Sequence, residues 1–268
     1  MNEPFLADDE TTWPTDLTDL LAENLEELKA YHKFERDLER RYAKGDWKAR
    51  YHPPANPSQV TRMRVLEEAN ALVDGASVVG YHCTRLVDHE VDAILTGGMK
   101  PLSAELVQEK ISALVASGLV PADVGSLLLT ENATCHSEHY GRRLGMSWFV
   151  FARPTLREEN GVIRLLSQWG GEATYLLHEQ TPDVIERLRK LGTPCIVEAA
   201  ITVRDIQTFC TVGERLVCHY LAKRRVRGEN PDWEGYVEVP TPRVRRIIRR
   251  GDGVFERLTN CQRWKTKL

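Results

Sequence analysis

In the N-terminal part of the chain, apolar positions recur with the period of a helix. Leu17, Leu20, Leu21, Leu25 and Leu28 fall three and four residues apart behind Thr15-Asp16, which predicts a helix running through a charged stretch to about Tyr42. Lys44-Gly45-Asp46 breaks that pattern, and Tyr51-His52-Pro53-Pro54-Ala55-Asn56-Pro57 reads as a linker or strap. A second helix is expected over 58–73, with Ser58 as its cap and Val60, Met63, Leu66 and Ala69 on its apolar face.

From Ala76 onwards the texture changes to short apolar runs between turn signals. Ala76 to Cys83 predicts a strand, and a helix from about Asp88 to Leu95 stops at Gly97-Gly98. Glu105 to Ser117 predicts another helix, closed by Gly118, followed by a polar, His-rich loop from Thr130 to Gly145. Ser147 to Arg153 reads as a buried strand, and Val162 to Leu166 and Ala173 to His178 as shorter strands on either side of Gln168-Trp169-Gly170-Gly171. Pro182 to Leu191 predicts a helix and Pro194 to Val203 the strongest strand of the chain. Asp205 to Tyr220 has no clear period, and Tyr236 to Val239 and Val244 to Ile248 predict two closing strands around Pro240-Thr241-Pro242. Strands and helices alternate too irregularly for a doubly wound sheet. An α+β fold with a mixed or split β-sheet is expected, with 1–75 as an acidic helical N-terminal arm and linker and 76–268 as the main domain.

Composition narrows the function classes. With 42% hydrophobic and 28% charged residues in 268, the chain has globular composition. Its longest apolar runs, Ser147 to Ala152 and Cys195 to Val203, are too short to cross a bilayer, so no membrane association is expected. The acidic start lacks the basic and apolar regions of a secretory signal. Cys83, Cys135, Cys195, Cys210, Cys218 and Cys261 lie far apart, which suits reduced thiols and a cytoplasmic location. Net charge is only −3, but it is uneven: nine acids against Lys29 alone in 1–30, and nine bases against four acids in 223–250. These are either two solvated faces or an acidic arm that masks a basic face for nucleic acid or a partner protein. If residues 16–42 lie near the basic surface of 223–250, a cut between Gly45 and Tyr51 should leave a soluble core with altered activity.

Walker, Gly-x-Gly-x-x-Gly and Gly-x-Ser-x-Gly patterns are absent. Cys135, His136 and His139 share one loop but lack the paired spacing of a zinc site, so no metal is expected. The most informative segment is Gly80-Tyr81-His82-Cys83-Thr84-Arg85-Leu86, followed by Glu90, Ile94, Gly97, Met99 and Pro101-Leu102-Ser103. This ordered set, running from Gly80 to Ser103, resembles the first motif of the ADP-ribosyltransferase superfamily. The likeness is to the branch with a His-Tyr-Glu constellation, which includes diphtheria-type toxins, poly-ADP-ribose polymerases and DNA-modifying toxins.

The resemblance implies a domain that takes NAD as substrate, releases nicotinamide and transfers ADP-ribose to a macromolecular acceptor, protein or nucleic acid. It also implies a toxin or defence role. NAD hydrolysis or removal of an RNA 2′-phosphate is the alternative on the same fold, and a non-catalytic binding module using 223–250 is the alternative outside it. His82 and Thr84 would hold ribose hydroxyls, and Arg85 would meet the pyrophosphate or serve as a structural ion pair. Tyr175, or else Tyr140, would stack on nicotinamide. The family's last motif is matched by Tyr236-Val237-Glu238-Val239-Pro240, where alternation puts the valines inward and Tyr236 and Glu238 outward. Glu238, with Glu234 as the competitor, would then face the oxocarbenium-like charge that develops as the glycosidic bond breaks.

Overall fold

The computed structural model describes residues 3–136, 143–226, 234–238 and 242–268. In chain order its regular elements are α1 (Thr15–Glu23), α2 (Leu25–Ala43), α3 (Trp47–Tyr51), α4 (Gln59–Val73), β1 (Ser77–Leu86), α5 (Asp88–Gly97), α6 (Ala104–Ala116), α7 (Ala122–Thr130) and β2 (Ser147–Val150). There follow α8 (Glu159–Ser167), α9 (Glu172–Tyr175), α10 (Pro182–Lys190), β3 (Thr193–Thr202), α11 (Val212–Lys223), β4 (Glu234–Val237), β5 (Arg243–Arg249) and α12 (Gly253–Thr259). The fold is α+β. The chain forms two compact units: one of 1–78, 202–204 and 208–233, the other of 79–201, 205–207 and 234–268.

In the first unit the N-terminal helical pattern is divided at Asn24, whose side-chain amide donates to Leu20 O at 2.8 Å while its Oδ1 accepts from Arg64. Competition of this kind between an Asn side chain and the backbone separates α1 from α2 at Asn24, whose φ and ψ of −104° and 9° leave the helical region. Helices α1, α2 and α11 pack against α4. The buried stripe of α4 is Val65, Ala69 and Val73, whereas Val60 is 80% and Met63 48% exposed. This corrects the expected face, which begins at Val60 and therefore on the solvent side. Nor does Ser58 cap the helix with its side chain; its hydroxyl donates to Glu27 instead. Gly213, at the start of α11, lets the two helices approach: its N–H donates to Asn70 Oδ1 at 2.9 Å, and a Cβ there would meet Asn70 N at 2.6 Å. The acidic residues that reach 223–224 are Asp8, whose carbonyl accepts from Lys223, and Glu10, which takes both Arg224 donors at 3.0 and 3.1 Å.

The second unit is built on a five-stranded sheet of order β4-β2-β1-β3-β5. β1 runs antiparallel to β2, β2 to β4 and β3 to β5. Strands β1 and β3 are antiparallel too, since Val203 donates to Ala76 at one end and Gly192 lies against Leu86 at the other. Gly192 has φ +62° and a Cβ there would sit 2.2 Å from Leu86 O, so both its conformation and its contact demand glycine. Val87, Val107, Ile111, Leu114, Leu128, Trp169, Tyr175 and Leu188 belong to one buried cluster of this unit.

Two sheet expectations are overturned. Residues 162–166 lie in α8 and 173–178 in α9 and a following 3-10 turn, so neither is a strand. Short apolar runs fit a buried helix face as well as a strand, and here Val162 and Leu166, four apart, are the inward pair.

Candidate functional site

The sequence-derived residues of the first motif sit near the middle of the sheet. Residues Val78 to Tyr81 of β1 are all buried, so this central strand is covered on both of its faces. Pairing of Tyr81 with Val150 sets His82 across from Phe149 and Thr84 across from Ser147. His82 and Thr84 therefore share one sheet face. The His82 ring lies 5.9 Å from the Phe149 ring, and its Nδ1 is 2.8 Å from Trp148 O. That bond makes Nδ1 the protonated nitrogen in the neutral ring and leaves Nε2 as an acceptor. His82 keeps some solvent access, yet the packing around its ring pushes its pKa down by desolvation. The bond to Trp148 opposes this, and the Lys110 charge adds to the depression. Thr84 is buried.

Behind the same segment lies a polar network that periodicity does not reveal. Glu90, 4% exposed on α5, accepts from Val87 N at 2.9 Å and from Trp169 Nε1 at 2.8 Å, and its other oxygen pairs with Lys110 at 2.9 Å. The ammonium of Lys110 also lies 5.9 Å from the Trp169 ring centroid. Through Oε2 the Glu90 carboxylate caps its own helix and fixes Trp169, whereas the buried Oε1 lies beside the Lys110 ammonium without a hydrogen bond.

Arg85 follows on β1, half-buried. Its Nε donates to Leu191 O at 2.6 Å and its Nη1 to Leu166 O at 3.4 Å, so two of its donors tie the strand end to the segment after α10 and to the end of α8. Burial, and then the nearby Arg250 charge, push its pKa down.

The remaining candidates fall elsewhere. Tyr175 has no exposed surface: it is helical, belongs to the buried cluster and lies under Arg164 at 5.5 Å. Its ring offers no free face for nicotinamide, because the glycines before it lead into a helix that turns the side chain inward. Tyr140 and His139 lie outside the described residues. On β4, Val237 is buried whereas Glu238, just past the strand, is exposed, as the alternation predicts.

The ladder then separates the two motifs. Phe149 pairs with Gly235 and Ser147 with Val237, so Gly235 and Val237 share the face of His82 and Thr84. Tyr236 points to the other face, where it pairs with Trp148, their rings 4.9 Å apart and tilted by 41°. Glu234 shares that second face, and Glu238 is brought to His82 by no strand pairing. Trp148 links the two sides: its carbonyl fixes His82, while its ring stacks on Tyr236 under the Arg143 guanidinium, 5.6 Å away. Sequence reading misses Trp148 because one aromatic in a short apolar strand looks like core.

Among the described residues no group of three or more His, Cys, Asp or Glu is placed to hold a metal ion, and no helix is long and apolar enough to cross a membrane. No protein-family model matches the chain, and neither a curated protein nor a solved structure does.

Proposed function

We propose that the sheet-bearing unit cleaves the nicotinamide–ribose bond of NAD and transfers ADP-ribose to a macromolecular acceptor. One observation carries this reading. His82 and Thr84 project from the same face of a central strand, with the imidazole anchored through Nδ1 and its Nε2 left for a ligand hydroxyl. Such a pair suits the adjacent hydroxyls of a ribose and costs little reorganisation when the dinucleotide binds. Glu238, exposed just past β4, is the carboxylate proposed for the developing positive charge, although the alternation of β4 sets it with Tyr236 on the face opposite His82 and Thr84.

A nicotinamide-release assay on the full chain tests the reading. Glu238→Gln keeps size and hydrogen-bonding shape but removes the charge, and should lower turnover by about 10²–10³ with little change in NAD affinity. His82→Ala should instead weaken NAD capture. Turnover of Glu238→Gln equal to wild type would assign the carboxylate role elsewhere. No nicotinamide from wild type across protein, DNA, RNA and water as acceptors would remove the enzyme reading.

A further inference from the structure

Strand β5 ends the sheet order and holds four arginines, Arg243, Arg245, Arg246 and Arg249, with Arg250 just past its end and no lysine among them. The molecule as a whole is slightly acidic at −3, so this edge does not reflect a general excess of base. Glu198 and Asp88 pair with three of these arginines, and Arg250 Nη1 donates to Leu268 O. Glu198 on β3, 5% exposed, takes Arg246 at 2.9 and 3.2 Å through one oxygen and Arg245 at 3.4 Å through the other. Asp88 takes Arg249 at 2.9 Å.

A β-bulge explains how one carboxylate reaches two consecutive arginines. Glu198 pairs with Arg246 and Ala199 with Val244, so Arg245 is the extra residue and both guanidinium groups approach Glu198. Solvent still reaches them: the side chains of Arg245, Arg246 and Arg249 are 33%, 52% and 43% exposed. Arg243 and Arg250 are exposed as well. At the far end of the edge the positive field extends inward, where the Arg250 charge helps to push the Arg85 pKa down.

We infer that this arginine edge binds single-stranded nucleic acid through its phosphates. Arg243 to Arg249 is six residue steps, about 20 Å at about 3.3 Å each, with Arg243 and Arg246 on one face of the strand and Arg249 on the other, so a nucleic-acid strand running along the edge meets arginines from both faces. Arginine forks match phosphate oxygens in pairs, and Glu198 holds two of them side by side before any ligand arrives. An acidic protein segment adding as a sixth strand is disfavoured, because the bulge twists the ladder that such a strand would have to continue. The inference is independent of the NAD reading; if both hold, it names the acceptor class as nucleic acid.

The experiment is anisotropy with a fluorescein-labelled single-stranded RNA of mixed sequence, on the full chain without NAD, across a salt series. Wild type should bind with log K falling linearly in log[salt], at a slope of about −0.7 per phosphate contacted. Arg243→Gln with Arg249→Gln leaves the Glu198 pairs intact and should weaken binding by about tenfold while flattening the slope by about 1.4. Arg187→Gln with Arg189→Gln, on α10, should change neither. Absence of binding at low salt, an unchanged slope in the β5 double variant, or displacement of the RNA by poly-glutamate at equal charge concentration would each overturn the inference.

Discussion

Glu90 is a buried carboxylate whose two oxygens meet a backbone N–H, an indole N–H and an ammonium. Half of that arrangement is local and readable, since a Glu three residues into a helix reaches back to the first free N–H. The other half, Trp169, lies 79 residues away and no sequence spacing announces it. His82 shows the same division. Its place on a strand is legible, whereas its anchor, the carbonyl of Trp148 66 residues on, is not. The setting of this ring has a measurable consequence. Burial depresses the folded-state pKa of His82, so in the window below the usual imidazole value the unfolded chain takes up a proton first. Stability from this group is therefore present above about pH 6.5 and is lost as the pH falls towards the lower folded pKa. His219, depressed chiefly by burial and then by Lys223, works in the same direction. Thermal midpoints measured from pH 7.5 to 5 should fall on acidification, with a shallower fall in His82→Gln and again in His219→Gln. A fall as steep in both variants as in wild type would show that neither histidine is kept neutral by the fold.

At the scale of elements, the long strands are the legible part, because β1 and β3 are buried on both faces and carry the near-continuous apolar runs that such strands need. Strand β5 is legible in position but not in its bulge, which depends on how Val244 and Arg246 register against β3. Surface helices are less readable: the period places α4, yet it points to Val60 when the packed positions are Val65, Ala69 and Val73. A mixed apolar distribution leaves the choice of face to the helices that cover it, and those come from distant parts of the chain. Glu198 gives the bulge an energetic role. Removing the carboxylate in Glu198→Ala leaves Arg245 and Arg246 beside each other at the strand edge without their common acceptor. Breaking a buried pair costs about 3–5 kcal/mol, but these guanidinium groups are a third to a half exposed and can turn to water. A loss of about 1–3 kcal/mol in denaturant unfolding is expected, with Glu198→Gln losing less because an amide oxygen still accepts. Equal stability of Glu198→Ala and wild type would mean that the bulge is held by backbone pairing alone.

At the scale of the whole chain, the stretch 1–75 reads as an arm because its charge and helical period differ from those of the later segments. Packing within the first unit makes it core instead. Leu17, Leu21 and Leu28 have no exposed surface, α1 and α2 pack against α4, and α4 packs against α11, which begins only at Val212. Asp8 and Glu10 add polar ties to the end of α11. Sequence order hides this because the return of α11 to the N-terminal helices is a long-range contact, and its own segment has no clear period. A cut before Trp47 would strip three fully buried leucines from that core, each worth about 1.5–3 kcal/mol, against a total stability of about 5–15 kcal/mol for a folded domain. The expectation of a soluble remainder is therefore replaced by a different outcome. Deleting 1–46 should give a chain that is largely insoluble, or soluble with strong dye binding to the exposed α4 face and a thermal midpoint lowered by more than about 10 °C. Leu21→Ala in the full chain separates packing from mere loss of residues: it should cost about 2–5 kcal/mol while leaving the acidic surface unchanged. A deletion chain that is soluble and melts like wild type, together with a neutral Leu21→Ala, would return these helices to the status of a detachable arm.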